Sequence, residues 1–180
     1  MRFLAISGSL RARSSNTAVL EAARALAPAG VDVVIYDGIG SLPHFNPDED
    51  VEPPPAAVAS WRAAIAGADA LLFCSPEYAR GVVGSLKNAI DWLVSGFEVI
   101  GKPIASINAS PIASVGQEAL LGTLRTIGVV IEDASIRLPL SSAQRTSDAI
   151  VGDPELAAAL REALARLAEG VEKARRGGSA

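Results

Sequence analysis

The sequence predicts an α/β fold in which a doubly wound, five-stranded parallel sheet is covered by helices on both faces, in a single domain over residues 1–180. Short apolar runs alternate with longer segments of helical periodicity. The first four runs are continuously apolar, as expected for parallel strands buried on both faces. Aromatic residues make up only 4% of the chain, which favours aliphatic helix-on-sheet packing. The predicted strands are Phe3–Ser7, Val31–Tyr36, Ala70–Cys74, Ile104–Asn108 and Val129–Leu138.

Helix signals lie between these strands. The clearest is Asp153-Pro154, an N-cap residue followed by proline at the first helical position, ahead of a stripe of leucines. Five prolines between positions 43 and 55 predict a long irregular segment over residues 37–55. The other predicted helices are Thr17–Leu26 with Ser15 or Asn16 as N-cap, Ala56–Ala66, Gly84–Ser95, and one opened by a capping box of Ser114 and Gln117.

Composition narrows the possible functions. The net charge of −4 argues against a general nucleic-acid binder. A single cysteine, Cys74, rules out an internal disulfide and suits a reducing cytoplasm, and a lone His44 cannot build a metal site. The chain shows no signal peptide, and no apolar run is long enough to span a membrane. We therefore expect a cytoplasmic protein with no metal, nucleic-acid or membrane partner.

Two polar, glycine-containing loops follow the first and third predicted strands, residues 7–16 and 75–81. In open α/β sheets, ligands bind beyond the carboxyl ends of the strands where the strand order reverses. The first loop offers Gly8 for close backbone approach, several serine hydroxyls, a guanidinium and the start of a helix, which together suit a phosphate group. An ordinary capped turn with solvated arginines explains the same residues equally well. Neither a dinucleotide fingerprint nor a P-loop is present.

Three motifs carry a family resemblance. Gly8-Ser9-Leu10-Arg11-x-x-Ser14-x-Asn16, Pro76-Glu77-Tyr78 and Gly84-x-Leu86-Lys87-Asn88-Ala89-Ile90-Asp91-Trp92 resemble the NADPH-dependent FMN reductases, a group that includes quinone, azo-dye and chromate reductases. The resemblance runs from Met1 to about Leu140.

The resemblance implies a flavodoxin-like fold with strand order 2-1-3-4-5 and bound FMN. It further implies ping-pong hydride transfer from NADPH or NADH through FMN to a small-molecule acceptor such as a quinone, flavin or azo compound, in a homodimer or homotetramer. The flavin performs the chemistry, so no side chain is expected to act as an acid, base or nucleophile. The implied FMN contacts are Ser9, Arg11, Ser14, Ser15 and Asn16 to the phosphate, Pro76, Glu77, Tyr78, Ala79, Arg80 and Gly81 along the ring, mostly through backbone amides, and Ser110 at the pyrimidine end.

The chain departs from the family pattern in the second loop. Many members have Asn where Ala79 stands, Ser at Gly81 and Pro at Val83, which leaves side-chain contacts to the ring open. Arg80 has two interpretations of similar weight: a contact to NADPH phosphate or an anionic substrate, or an ion pair across a subunit contact. Glu77 and Tyr78 are ambiguous in the same way.

Two other functions compete with a reductase. Cys74 and Arg80 match the C-x5-R pattern of cysteine phosphatases, although Pro76 has no N–H to donate to a phosphate and no glycine lies between the two. A flavodoxin-type electron carrier is the second alternative, but such carriers are usually strongly acidic and have no arginine in the phosphate loop. Among single residues, we expect Trp61 to pack its own helix, Trp92 to face another subunit and His44 to be a turn or rim residue.

Overall fold

The computed structural model describes residues 1–112 and 115–177. Its strands are β1 (Arg2–Ser7), β2 (Asp32–Tyr36), β3 (Ala70–Cys74), β4 (Glu77–Tyr78), β5 (Gly81–Val82), β6 (Pro103–Asn108), β7 (Val130–Ile131) and β8 (Ile136–Arg137). Its helices are α1 (Ser15–Ala25), α2 (Ala56–Ala66), α3 (Gly84–Asp91), α4 (Val115–Thr126), α5 (Ser147–Gly152) and α6 (Pro154–Gly177).

The central sheet is parallel and follows the order β2-β1-β3-β6-β7, with β8 also paired to β6. This is the doubly wound order that the sequence predicts, with β6 as the fourth strand. Strand β1 lies between β2 and β3, and its last residue, Ser7, is in register with Cys74 at the end of β3. The chain segments that follow β1 and β3 therefore begin side by side at one edge of the sheet.

Alternate residues of the strands form two apolar cores, one on each face of the sheet. Phe3 and Ala5 pack on the face that carries α1 and α6. Leu4 and Ile6 pack on the opposite face with α2, α3 and α4, where Trp61 is fully buried and donates its indole N–H to the carbonyl of Ala89, 2.8 Å away. Trp61 therefore packs its own helix against α3, as predicted.

The predicted fifth strand, Val129–Leu138, is not continuous. Ile104 of β6 pairs with Ile131 of β7, and Ile107 pairs with Ile136 of β8, so three steps along β6 span five steps along its partner. The two extra residues are accommodated in a turn between β7 and β8. Ser135 supplies a hydrogen-bond acceptor at this break, because its hydroxyl oxygen accepts a bond from the backbone N–H of Ser106 at 3.0 Å. The apolar pattern alone does not reveal this break.

The third helix ends at Asp91, four residues earlier than predicted, and the prediction for Trp92 is wrong. Its side chain is completely buried within the same chain and stacks edge-on against Phe45, with ring centroids 5.1 Å apart. The Trp92 indole N–H and the Asn88 side-chain amide both donate to the carbonyl of Pro43, each at 2.9 Å. The side of α3 that was predicted to face another subunit is therefore covered by the proline-rich segment of the same chain.

The segment 37–55 is irregular, as predicted, and is tied down at two places. Besides the contacts to Trp92, Asp50 forms a 2.8 Å ion pair with Arg62 of α2 and accepts a hydrogen bond from Ser95. His44 lies exposed on this segment, which fits the predicted turn or rim residue. The segment contacts α2 and α3 through residues 38–41 and through Pro43, Phe45 and Asp50.

The last helix, α6, begins where the Asp153-Pro154 signal predicts. Asp153 caps α6, because its carboxylate accepts hydrogen bonds from the backbone N–H groups of Glu155 and Leu156 at 3.1 Å. The hydrogen bond from Leu156, followed by those from the Gln144 side chain and from Glu155, lowers the pKa of Asp153. The short α5 was not predicted. Within residues 1–112 and 115–177, no helix combines the length and apolar character needed to cross a bilayer.

Candidate functional site

A cleft opens at the sheet edge where the chain leaves β1, β3 and β6. Its volume is about 220 Å³. It brings together five residues that the sequence analysis singled out from three separate loops: Ser15, Asn16, Pro76, Glu77 and Ser110. Side chains from positions far apart in the sequence thus meet at the place where open α/β sheets bind ligands.

The loop after β1 is built as the start of a helix with unused donors. Ser14 is the N-cap of α1, and its hydroxyl oxygen accepts hydrogen bonds from the amides of Asn16 and Thr17 at 3.2 and 3.4 Å. Within the described ranges, the backbone amides of Ala12, Arg13 and Ser15 have no protein acceptor. Free amides at the positive end of a helix dipole bind anions.

Ser7 and Thr17, which the sequence analysis did not select, hold this loop in shape. The Ser7 hydroxyl oxygen accepts hydrogen bonds from the Ser9 amide at 3.2 Å and from the Thr17 hydroxyl at 3.0 Å. The end of β1 is thereby fastened to the first turn of α1. A serine at the end of a strand is the only sequence signal that pointed here, and it is a weak one.

Ser9 and Arg11 do not line the cleft. They line a neighbouring depression of about 200 Å³ that also includes Thr17 and Tyr36. Arg11 and Arg13 are exposed, and neither forms an ion pair with a described residue. The loop therefore carries positive charge that the protein itself does not neutralise.

Asn16 and Cys74 are joined inside the protein. The Cys74 thiol is fully buried and donates to Oδ1 of Asn16 at 3.4 Å, which leaves the Asn16 side-chain NH2 as the group available to a ligand in the cleft. Burial strongly raises the pKa of Cys74, so its nucleophilic thiolate is disfavoured. Arg80 lies at the tip of a hairpin, outside the residues that line the cleft. This geometry does not suit a cysteine phosphatase.

The second predicted loop is in fact a β-hairpin. Strands β4 and β5 pair antiparallel, with Glu77 opposite Val82 and Tyr78 opposite Gly81. The two turn residues, Ala79 and Arg80, have φ values of 50° and 60°, which is the left-handed pair that a two-residue type I′ turn requires. Asn and Gly are the usual residues in such a turn, so Ala-Arg gave no hairpin signal and carries backbone strain.

Glu77 fastens the hairpin to α4. Its carboxylate accepts a 2.6 Å hydrogen bond from the backbone N–H of Gly116, in the first turn of that helix. A Cβ at position 116 would lie 2.9 Å from both Cβ and Cγ of Glu77, so the contact requires glycine. The sequence left open whether Glu77 contacts a ligand or another subunit. In the structure the carboxylate is bound within its own chain, and Glu77 also lines the cleft.

Two polar side chains of the hairpin, those of Tyr78 and Arg80, form no ion pair or hydrogen bond that would fix them to the described chain. Tyr78 is 57% exposed, and Arg80 is exposed without an ion pair to any described residue. On the third loop, Asn108 accepts a hydrogen bond from the Ser110 amide at 3.0 Å, which sets the backbone where Ser110 reaches the cleft. Ser114 of the predicted capping box lies outside the described residues, and Gln117 donates instead to the carbonyls of Ser106 and Ile136.

Arg145 is a cleft residue that sequence reasoning missed. It comes from the segment between β8 and α5 and lines the cleft together with Leu140. Arg145 lies in a polar stretch about 130 residues from the first loop along the chain, so no local sequence pattern predicts that it reaches the cleft.

Comparison with known proteins shows which family the chain resembles over most of its length. The family model described as NADPH-dependent FMN reductase matches residues 1–137. An NAD(P)H-dependent FMN reductase of Pseudomonas aeruginosa is 39% identical over 154 residues, covering 83% of this chain and 82% of the relative. A quinone reductase of Pseudomonas putida is 42% identical over 114 residues, covering 61% and 60% of the two chains.

Solved structures show the same similarity. The flavoenzyme NAD(P)H:(acceptor) oxidoreductase FerB of Paracoccus denitrificans superposes with a TM-score of 0.85 at 29% identity, over 96% of this chain and 97% of that one. A flavodoxin from the domain Archaea superposes with a TM-score of 0.62 at 14% identity over 96% and 99% of the two chains, a likeness of fold alone.

Proposed function

The chain belongs to the NADPH-dependent FMN reductase family, and from that premise we propose that it is an NAD(P)H-dependent, FMN-containing oxidoreductase that reduces a quinone, flavin, azo compound or similar small acceptor. The observation that carries the proposal is the cleft at the end of β1 and β3, beside amides at the start of α1 that have no acceptor among the described residues.

The residues present fit the phosphate end of FMN. A phosphate monoester needs hydrogen-bond donors and positive charge, and the α1 start offers free amides, the Ser15 hydroxyl and unpaired guanidinium groups. Following the family resemblance, we assign the phosphate contacts to Ser9, Arg11, Ser14, Ser15 and Asn16. The Ser14 hydroxyl oxygen already accepts hydrogen bonds as the helix cap and keeps its O–H to donate. Arg11→Ala is expected to weaken FMN binding, and an unchanged dissociation constant would count against this assignment.

The size of the cleft supports an open flavin site. Sites that enclose a whole drug-sized ligand usually have about 300–1,000 Å³, whereas this cleft has about 220 Å³. FMN would therefore extend beyond this cleft, and part of its ring would stay accessible from outside. A reductase that must admit a nicotinamide and then an acceptor to the same position needs that access.

The chemistry that FMN supplies when bound is two-electron transfer from NADPH or NADH to the acceptor. The chain contributes orientation and electrostatics. Residues Pro76, Glu77, Tyr78, Ala79, Arg80 and Gly81 are assigned to the ring, where fixed backbone N–H dipoles favour the negative charge that reduction creates. Ser110 is assigned to the pyrimidine end. No acid, base or nucleophile is assigned to a side chain.

The visible absorption spectrum of the purified protein, recorded before and after addition of FMN and desalting, tests cofactor binding. A retained flavin spectrum supports the proposal, and a colourless protein after loading contradicts it. Oxidation of NADPH and of NADH by the loaded protein alone, with a quinone as acceptor, then separates a reductase from a flavodoxin-type electron carrier. Steady turnover supports the reductase, and its absence with both nucleotides favours the carrier.

We further propose a homodimer or homotetramer of one domain, residues 1–180, in the cytoplasm. The segment after α3 exposes three apolar side chains, Val94, Phe97 and Ile100, with Phe97 83% exposed, which supports a contact between copies. The single reduced and buried cysteine fits a reducing compartment. Sedimentation of the wild type and of Phe97→Ser tests the assembly, and a wild-type monomer would refute it.

A further inference from the structure

We infer that Arg145 binds the phosphate of FMN, as a cation supplied from outside the phosphate loop; this rests on the proposed function. Arg145 lies beyond residues 1–137, the part of the chain that matches the family model. Its assignment therefore depends on where the fold places it.

Arg145 is positioned at the first turn of α1. It lines the main cleft together with Ser15 and Asn16. It also lines a second groove, of about 480 Å³, together with Arg13 and Ser14. Arg145 thus lies beside the end of the phosphate loop, at the start of α1, where amides have no acceptor among the described residues.

The backbone around Arg145 is held in place by both neighbours. On one side, the Gln144 side-chain oxygen accepts hydrogen bonds from the Ser141 amide and hydroxyl at 3.0 and 2.7 Å, and its NH2 group donates to Asp153 at 2.7 Å. On the other side, Thr146 is the N-cap of α5 and accepts from the Ala149 amide at 3.3 Å. The backbone position of Arg145 is therefore fixed by its neighbours, while its exposed side chain is available to a ligand.

The charge of Arg145 is uncompensated in the described part of the chain. Its guanidinium makes no ion pair or hydrogen bond there, and Glu21, which lines the same groove, is not within 4.0 Å of it. A cation beside the positive end of a helix dipole is unfavourable by itself. A phosphate dianion between the α1 amides and Arg145 would replace this repulsion by attraction, because it accepts hydrogen bonds from the amides and from the guanidinium group.

The test compares FMN with riboflavin, which has the same ring and sugar chain but no phosphate. Dissociation constants of both are measured by quenching of flavin fluorescence for the wild type and for Arg145→Gln. We expect the FMN dissociation constant to rise about tenfold to a hundredfold, the range for loss of one charge-assisted hydrogen bond, and that of riboflavin to stay unchanged. Arg145→Lys should recover part of the loss, because it restores the charge without the fork of donors.

A matched control is Arg161→Gln, which removes an exposed arginine of α6 that lines neither the cleft nor the second groove. It should leave both dissociation constants unchanged. The inference is overturned if Arg145→Gln binds FMN as the wild type does, or if it weakens FMN and riboflavin equally, which would show a structural role. A wild-type protein that binds neither flavin would instead refute the proposed function and this inference with it.

Discussion

Gly8→Ala is expected to separate the two loops that form the cleft. Gly8 follows β1 directly, and its amide donates to the carbonyl of Cys74 at 3.0 Å. A Cβ added at position 8 would lie 2.7 Å from Cβ of Ser75 and 3.1 Å from Cγ2 of Val83. Because a Cβ atom moves only with its backbone, the two chain segments must move apart.

The cost follows from this overpacking. Inserting a methyl group into a well-packed site costs about 1–3 kcal/mol. At about 2–4 °C per kcal/mol for a protein of this size, the melting temperature should fall by about 2–12 °C. Displacement of the phosphate loop should also remove at least one amide contact to FMN, which corresponds to about a tenfold to hundredfold rise in its dissociation constant.

Circular dichroism on heating and a fluorescence titration with FMN measure the two effects. Gly84→Ala is the matched control, because a Cβ there meets no atom within 4 Å and the position lies in the first turn of α3. That variant should melt at the wild-type temperature or slightly above it. If Gly8→Ala melts and binds FMN as the wild type does, the close approach of the two loops has no energetic consequence and our reasoning fails.

Three further predictions concern single side chains. Cys74→Ala should retain FMN binding and reductase activity, and the wild-type thiol should resist iodoacetamide in the folded protein. Loss of activity on alkylation would instead support a catalytic role for Cys74. Trp92→Phe should lower the free energy of unfolding by about 1–3 kcal/mol and speed proteolysis within 37–55, since it removes the indole bond to Pro43; a cleavage rate equal to that of the wild type contradicts this. The hydrogen bond from Ser95 is the largest cause of the lowered pKa of Asp50, so urea unfolding should find the wild type more stable than Asp50→Asn at pH 7. The difference should shrink as the pH falls below the ordinary carboxyl range and through the lowered pKa. An equal difference in acid would refute the assignment.

Local patterns predicted the frame of this fold because they depend on neighbouring residues. The buried strands β1, β3 and β6 are continuous apolar runs, and the Asp153-Pro154 start of α6 satisfies its own backbone donors. The β1 and β3 loops were also predictable, since their polar residues follow such strands directly. The rest of the cleft does not follow from these patterns.

Three features depended on contacts between distant residues. The break between β7 and β8 is a matter of register with β6, which apolar periodicity does not record. Trp92 occupies the face that a helical pattern leaves free, because Pro43 offers a carbonyl there. Arg145 reaches the cleft only because α5 packs beside α1, and the Ala79-Arg80 turn adopts a conformation that its residues disfavour.

The bond between Glu77 and Gly116 has a consequence for how activity can be tuned. The hairpin assigned to the flavin ring and the first turn of α4 are mechanically one piece, so a shift of that helix displaces the ring-side amides without any change in the hairpin sequence. Substitutions on the outer surface of α4 are therefore a route by which the surroundings of the assigned cofactor site can change while the hairpin sequence stays the same.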